Sequence, residues 1–237
     1  MLGASPIFLR AQSLLAHNYV TEATEEVKDL ADRLSADPVS LAQLGVWTYE
    51  SNLPRASTFI GELLAKAGPT KTLTAAPRPV MQLALPLAYP AIVEQETRTD
   101  GVDGLLLMAL MRQESIYDRY AGSSVGARGL TQVMPETGAS IAKTLGVEGF
   151  TTADLYRPEI SIDFGSHYLS EGIKRYGGNA WVALAAYNAG PGSADKWLQG
   201  AKEIDPDIFY ERVAFAETKS YVKLVGRNYY LYQKAWR

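Results

Sequence analysis

Cysteine is absent from the 237 residues, so the chain forms neither a disulfide nor a thiolate metal site. Histidine is almost absent too: the two that occur, His17 and His167, lie far apart without ligand spacing. His167 reads as a helix-surface or packed residue, and neither a metal nor a cofactor is expected. Long apolar runs are missing as well, the longest being closed off by Asp103 and Arg112. Nothing approaches the roughly 20 residues that span a bilayer. Net charge of one sign is small, at -3, which excludes a general attraction to nucleic acid. No stretch alternates apolar and polar residues as a sheet strand would. The segment from Met1 to Pro6 has neither a basic start nor a following apolar core, so no export signal is visible. The expectation is a chain that starts inside a longer protein, or one not exported by that route.

What is present is helical patterning. With 47% hydrophobic residues the chain is rich enough to bury a substantial core. Ala23, Val27, Leu30, Ala31 and Leu34 keep helical spacing, Thr21 is placed to cap, and Glu22, Glu25 and Glu26 complement the positive helix start. The pattern returns 33 residues later, with Val20, Ala23, Val27, Leu30 and Ala31 corresponding to Leu53, Ala56, Ile60, Leu63 and Leu64. Asp37-Pro38 and Pro54 mark further helix starts. Residues 1–67 therefore read as two helical hairpins of a repeat array, which rely on stacked neighbours for burial. Residues 68–90 hold Pro69, Pro77, Pro79, Pro86 and Pro90, too many for one helix, and predict a surface connector. From residue 91 to 237 the spacing predicts helices from Ala91 to Thr99, Gly104 to Ser115, Pro135 to Leu145, Ile162 to Tyr176, Trp181 to Asn188, Gly192 to Gln199 and Thr218 to Tyr232. The fold class is all-α.

Glu114 stands at the end of the apolar run Leu105-Leu106-Leu107-Met108-Ala109-Leu110-Met111, on one face with Met111 and Leu110. Loss of water and the negative end of a helix both disfavour its carboxylate, leaving a proton donor near neutral pH. Acid-catalysed cleavage of a glycosidic bond needs such a group, because the leaving sugar oxygen must be protonated. Three later segments accompany it. Ser123 through Pro135 is a Gly-rich passage in which Gly126 and Gly129 open backbone conformations closed to other residues. Ala186-Tyr187-Asn188-Ala189-Gly190-Pro191-Gly192 ends a helix at a turn, with Tyr187 and Asn188 in its last coil. Glu217 and Tyr221 are four apart, on one helical face.

Together, Gln113-Glu114-Ser115, Gly126-Ala127-Arg128-Gly129-Leu130-Thr131-Gln132-Val133-Met134-Pro135, Ala186-Tyr187-Asn188-Ala189-Gly190-Pro191-Gly192 and Glu217-Thr218-Lys219-Ser220-Tyr221-Val222 closely resemble the soluble lytic transglycosylases, family 1. The resemblance covers residues 85–237, and the hairpins before it look like the end of the α-superhelical region of the large periplasmic members. It implies a lysozyme-like, mainly helical catalytic domain acting on alternating N-acetylmuramic acid and N-acetylglucosamine in peptidoglycan. It also implies a periplasmic or cell-envelope location, with other cell-wall enzymes as partners.

On that resemblance Glu114 protonates the bridging oxygen and then, as carboxylate, takes the proton of the same muramic acid's C6 hydroxyl, closing a 1,6-anhydro ring. Ser123 would hydrogen-bond near the muramic acid ring, Gln132 line the cleft and Met134 pack on the sugar. Tyr187 and Asn188 would stabilise the oxocarbenium and orient the N-acetyl group, while Glu217 and Tyr221 would shape the glucosamine side. The sequence departs from the family at Arg119, Tyr120, Thr131, Ala214 and Lys219, and Thr131 should alter packing under the cleft. Two other readings share these residues: a goose-type lysozyme-like hydrolase in which water attacks, and a non-catalytic peptidoglycan-binding scaffold.

Overall fold

The computed structural model describes residues 2–200 and 205–237. Among them the regular structure is helical, with no strand beyond isolated antiparallel bridges that pair Arg128 with Gly122 and with Val133. The chain divides into two compact units, residues 1–88 with 231–237 and residues 89–230.

The first unit contains α1 (Pro6–Ala16), α2 (Val20–Arg33), α3 (Pro38–Glu50), α4 (Pro54–Ala67) and α5 (Arg78–Ala84). Local chemistry sets their starts. Asp37 accepts from the Ser40 amide at 3.1 Å, and prolines fill the first turns of α3 and α4, where a missing N–H costs nothing. Tyr19, not Thr21, holds the cap position of α2, and it offers no side-chain acceptor. Successive helices pair as α1 with α2 and α3 with α4, and α2 lies against α4. The repeated apolar positions meet there: Val27, Leu30 and Ala31 share a buried cluster with Leu53, Ala56, Ile60, Leu41, Leu44 and Phe8. Each such Leu, Ile or Phe contributes roughly 1.5–3 kcal/mol by leaving water.

The proline-rich stretch differs from a surface connector. It contains α5, whose Met81, Leu83 and Ala84 are buried. Pro77 is the cap of α5 and Pro79 lies in its first turn, so neither interrupts it. Gly61 lets α5 approach closely, since a Cβ there would stand 2.2 Å from the Ala84 nitrogen. Ser57 closes the contact by donating to the Leu83 carbonyl at 2.8 Å. The last residues of the chain also belong to this unit. Trp236 donates through Nε1 to the Leu85 carbonyl at 2.8 Å, Tyr232 donates to that of Pro86 at 3.0 Å, and Arg78 donates to that of Ala235 at 2.9 Å.

The second unit holds α6 (Pro90–Asp100), α7 (Gly104–Ser115), α8 (Pro135–Leu145), α9 (Pro158–Arg175), α10 (Ala180–Ala189), α11 (Pro191–Leu198), α12 (Pro206–Arg212) and most of α13 (Ala216–Trp236). Six consecutive residues of α7, Leu106 to Met111, are buried, so this helix is enclosed on all sides until its final turn. Helix α9 packs against α6, α8 and α10. Helix α12, absent from the sequence reading, begins where Asp205 accepts from the amides of Asp207 and Ile208.

Candidate active site

Glu114 occupies the last turn of α7, where the enclosed helix emerges. Burial is the main cause that pushes its carboxyl up to about 7, and a hydrogen bond from Tyr221 opposes the shift. No charged neighbour is among the causes. Tyr221, 6% exposed, donates to Oε1 at 2.6 Å from α13. Its phenol is itself raised well above the usual range, by burial first and then by Glu114.

Tyr187 in the last turn of α10 feels the same carboxyl. Its phenol is also raised well above the usual range, by burial first and then by Glu114. Its hydroxyl donates to the Thr131 carbonyl at 2.8 Å, and its ring meets Tyr168 edge-on at 5.2 Å. The next residue, Asn188, accepts at Oδ1 from the Thr218 hydroxyl at 2.6 Å, which ties α10 to α13 one turn before Tyr221. Acid, both tyrosines and Asn188 are thus joined across α7, α10 and α13.

The Gly-rich passage completes the set. Ser115, next to the acid, donates its hydroxyl to the carbonyl of Leu130 at 2.8 Å and to that of Met111 at 3.1 Å. Thr131 is fully buried, with its hydroxyl donating to the Ser161 carbonyl at 2.6 Å. It lies against Gly165, where a Cβ would come within 2.5 Å of the Thr131 side chain. This is how the packing accommodates Thr131: Gly165 vacates the space and Ser161 takes the hydroxyl. Backbone strain gathers around the acid, since Ile116, Tyr117 and Gln132 all have positive φ, at 48°, 59° and 50°. Gly129, at φ 77°, cannot be another residue, because a Cβ would stand 1.9 Å from the Leu155 carbonyl oxygen.

The other expected residues sit differently. Gln132 turns its amide inward, donating to the carbonyls of Ala121 and Gly129 at 3.1 and 2.8 Å. Ser123 accepts from the Ala127 amide at 2.9 Å, within its own turn. Met134 is the cap of α8 and is 39% exposed, so it is no core residue. Glu217 is exposed in the first turn of α13, one turn from Tyr221. Among the described residues, Ser123, Met134 and Glu217 share no hydrogen bond or ion pair with Glu114, Tyr187 or Tyr221. Of the departures from the family, Arg119 donates to the Tyr156 carbonyl at 3.3 Å and Lys219 pairs with Glu211 at 2.8 Å. Sequence reasoning missed Ser115, Thr218 and Tyr168 as supports. Ser115 and Thr218 adjoin flagged glutamates, which was the available signal.

A second carboxyl is raised to about 7. Glu96 on α6 is 4% exposed and is shifted by burial, then by Asp163 and Asp100. Asp163 is raised as well, by burial and then by Asp100, with His167 opposing. His167 Nδ1 stands 3.8 Å from Asp100 Oδ1, while Asp100 Oδ2 and Ser166 Oγ are buried without a hydrogen-bond partner among the described residues. This cluster lies between α6 and α9 and shares no residue with the Glu114 set.

The family described as "Transglycosylase SLT domain" matches residues 91–209, half of the chain. The soluble lytic murein transglycosylase of Escherichia coli (strain K12) is 38% identical over 151 residues, which cover 62% of this chain and 23% of that protein. Its Salmonella typhimurium counterpart is 39% identical over 142 residues, covering 59% and 22%. The chain thus spans about a quarter of the length of these curated relatives. Among solved structures, the 70 kDa soluble lytic transglycosylase of Escherichia coli superposes with a TM-score of 0.79 at 29% identity, over 98% of this chain and 36% of that one. An inactive mutant of the lytic transglycosylase Slt from Pseudomonas aeruginosa gives 0.74 at 27% identity, over the same 98% and 36%.

Proposed function

We propose that the chain, which belongs to the transglycosylase SLT domain family, cleaves the bond between N-acetylmuramic acid and N-acetylglucosamine in peptidoglycan without water. The observation that carries this reading is the setting of Glu114: a carboxyl in the last turn of an enclosed helix, raised by burial to about 7 and bonded at Oε1 by Tyr221 at 2.6 Å. Hydrolases of the common kind flank the bond with two carboxyls. A single group suffices when the substrate supplies the nucleophile. The relatives named as lytic murein transglycosylases, and the neighbour named as an inactive mutant carrying a glutamate-to-glutamine exchange, support the same assignment.

Glu114 gives its proton to the bridging oxygen as the bond to muramic acid C1 breaks. Now a carboxylate, it receives the proton of that sugar's C6 hydroxyl, whose oxygen attacks C1 and closes the 1,6-anhydro ring. Protons balance, and the enzyme ends as it began. Tethering of the nucleophile within one sugar makes the second step effectively unimolecular. Tyr221 occupies Oε1 from 2.6 Å, which leaves Oε2 to exchange the proton and steadies the carboxylate between the two steps. Tyr187 has donated its hydrogen to Thr131, so its oxygen faces the oxocarbenium with lone pairs only. Asn188 has its oxygen engaged by Thr218, so its Nδ2 is the atom left to hold the N-acetyl carbonyl. Met134 offers an exposed apolar surface to a sugar face, and Glu217 marks the glucosamine side one turn from Tyr221. Ser123 and Gln132 shape the cleft through the loop they brace. The substrate places the reaction in the cell envelope.

The test is mass spectrometry of the fragments released from purified peptidoglycan sacculi. The expected products end in 1,6-anhydromuramic acid, lighter by one water than reducing ends. Reducing ends alone would mean that water attacks, as in the goose-type lysozyme reading, and no release at all would leave a binding scaffold.

A further inference from the structure

Helix α13 has two working faces. Thr218, Tyr221, Val225 and Asn228 are buried toward the catalytic core. Lys219, Lys223 and Arg227 recur every four residues on the opposite side, with Gly226 beside them. That side borders an open hollow of about 420 Å³, lined by Trp181 of α10, Pro206, Asp207, Phe209 and Tyr210 of α12, and Val222, Lys223 and Gly226 of α13.

Its construction is specific. Gly226 lies inside a helix, where glycine costs about 1 kcal/mol against alanine. A Cβ there would come within 2.7 Å of the Trp181 ring, so the missing side chain is what admits the indole. Phe209 is fully buried beneath the hollow. Lys219 sits 4.9 Å over the Tyr210 ring and is paired with Glu211 at 2.8 Å. Lys223 in the lining and Arg227 one turn beyond it are exposed and carry no ion pair among the described residues. The Lys219–Glu211 pair cancels, and Asp207 is set against Lys223 and Arg227, so the rim keeps one net positive charge in a chain of net charge -3.

We propose that the hollow is a second binding site, for a carboxylate-bearing saccharide: a stretch of glycan strand other than the one being cut. Trp181 and Tyr210, both partly exposed in the lining, offer ring surface to apolar sugar faces, and Lys223 and Arg227 meet the carboxylates of the peptides that muramic acid carries. The identity of the glycan rests on the proposed function. Facing away from Tyr221, the site holds the enzyme on the polymer while the cleft works.

The test uses the full chain. In a Glu114→Gln background, co-sedimentation with sacculi should weaken about fivefold on Lys223→Glu with Arg227→Glu, the loss of two surface ion pairs. With Glu114 intact, the same charge reversals should slow release from sacculi while turnover of a short soluble glycan fragment is unchanged. Tyr210→Ala should weaken sedimentation in the same direction. Unchanged sedimentation in both variants overturns the proposal, as does an equal loss on the short fragment. If the wild-type chain releases nothing but Lys223-dependent sedimentation persists, the cleavage reading fails and this site stands.

Discussion

Glu114 and Glu96 are both raised to about 7, by surroundings of opposite kind. Around Glu114 the polar neighbours are uncharged, and a tyrosine donates to one of its oxygens at 2.6 Å. Around Glu96 the neighbours are two carboxyls, and the group is 4% exposed. In the first case proton release is followed by a carboxylate that the site can hold through Tyr221. In the second, ionisation creates repulsion in a closed space, with an unpartnered Asp100 oxygen already present. A raised pKa therefore does not by itself identify a catalytic acid. What sets Glu114, the proposed acid, apart is an uncharged cause of the shift and a hydrogen bond from Tyr221.

The comparison breaks most visibly at Glu114. Glu114→Gln should lower release from sacculi by about 10³-fold or more, since on the proposed mechanism it removes the group that both gives and takes the proton. Glu96→Gln should leave release within about twofold. Equal losses would erase the distinction. Next in size is Tyr221→Phe. One hydrogen bond is worth roughly 0.5–1.5 kcal/mol, so release should fall about three- to tenfold. Because the Tyr221 bond lowers the carboxyl's pKa, its removal should move the alkaline limb of the pH–rate profile upward. A fall in rate with an unmoved limb would make Tyr221 a packing residue only.

The smallest effect is on stability, and its sign follows from proton counting. Unfolded, Glu96 ionises near 4.5, whereas folded it holds its proton to about 7. Between those values the folded state binds the extra proton, so stability falls as pH rises through the window and stays at its lower level above it. Glu96→Gln removes that loss. Its thermal midpoint should exceed the wild type by several degrees at pH 8 and differ little at pH 4. Glu114→Gln should shift in the same direction, so that stability groups the two glutamates and turnover separates them. A Glu96→Gln midpoint that shows no pH dependence would mean that the carboxyl cluster ionises freely.

Much of this arrangement was legible in the sequence because it is local. Helix starts carry Asp37, Pro38, Pro54 and Pro135, and the enclosed α7 is announced by its apolar run and ended where Glu114 emerges. Helix α5 was hidden because prolines read as breakers unless their place in the first turn is known, and the helix's burial involves packing of Ala84 against Gly61, outside the stretch. The last turns of α13 join the first unit through Tyr232 and Trp236, at separations no periodicity encodes. In the site, Glu114, Tyr187 and Asn188 stood out in their motifs. Tyr221 was placed on the glucosamine side by resemblance, while its hydrogen bond to the acid, 107 residues away, emerges only in three dimensions. The Glu96 cluster left no trace in composition, because its members are spread over α6 and α9 and become a cluster only when those helices pack.

The most direct measurement is a carboxyl-specific NMR titration of Glu114 in the wild-type chain, read beside the pH dependence of product release. A Glu114 midpoint near 7 is expected, coinciding with the pH at which release declines, with an upward move of both in Tyr221→Phe. A Glu114 midpoint near the ordinary 4.5 in a folded, active protein would contradict it.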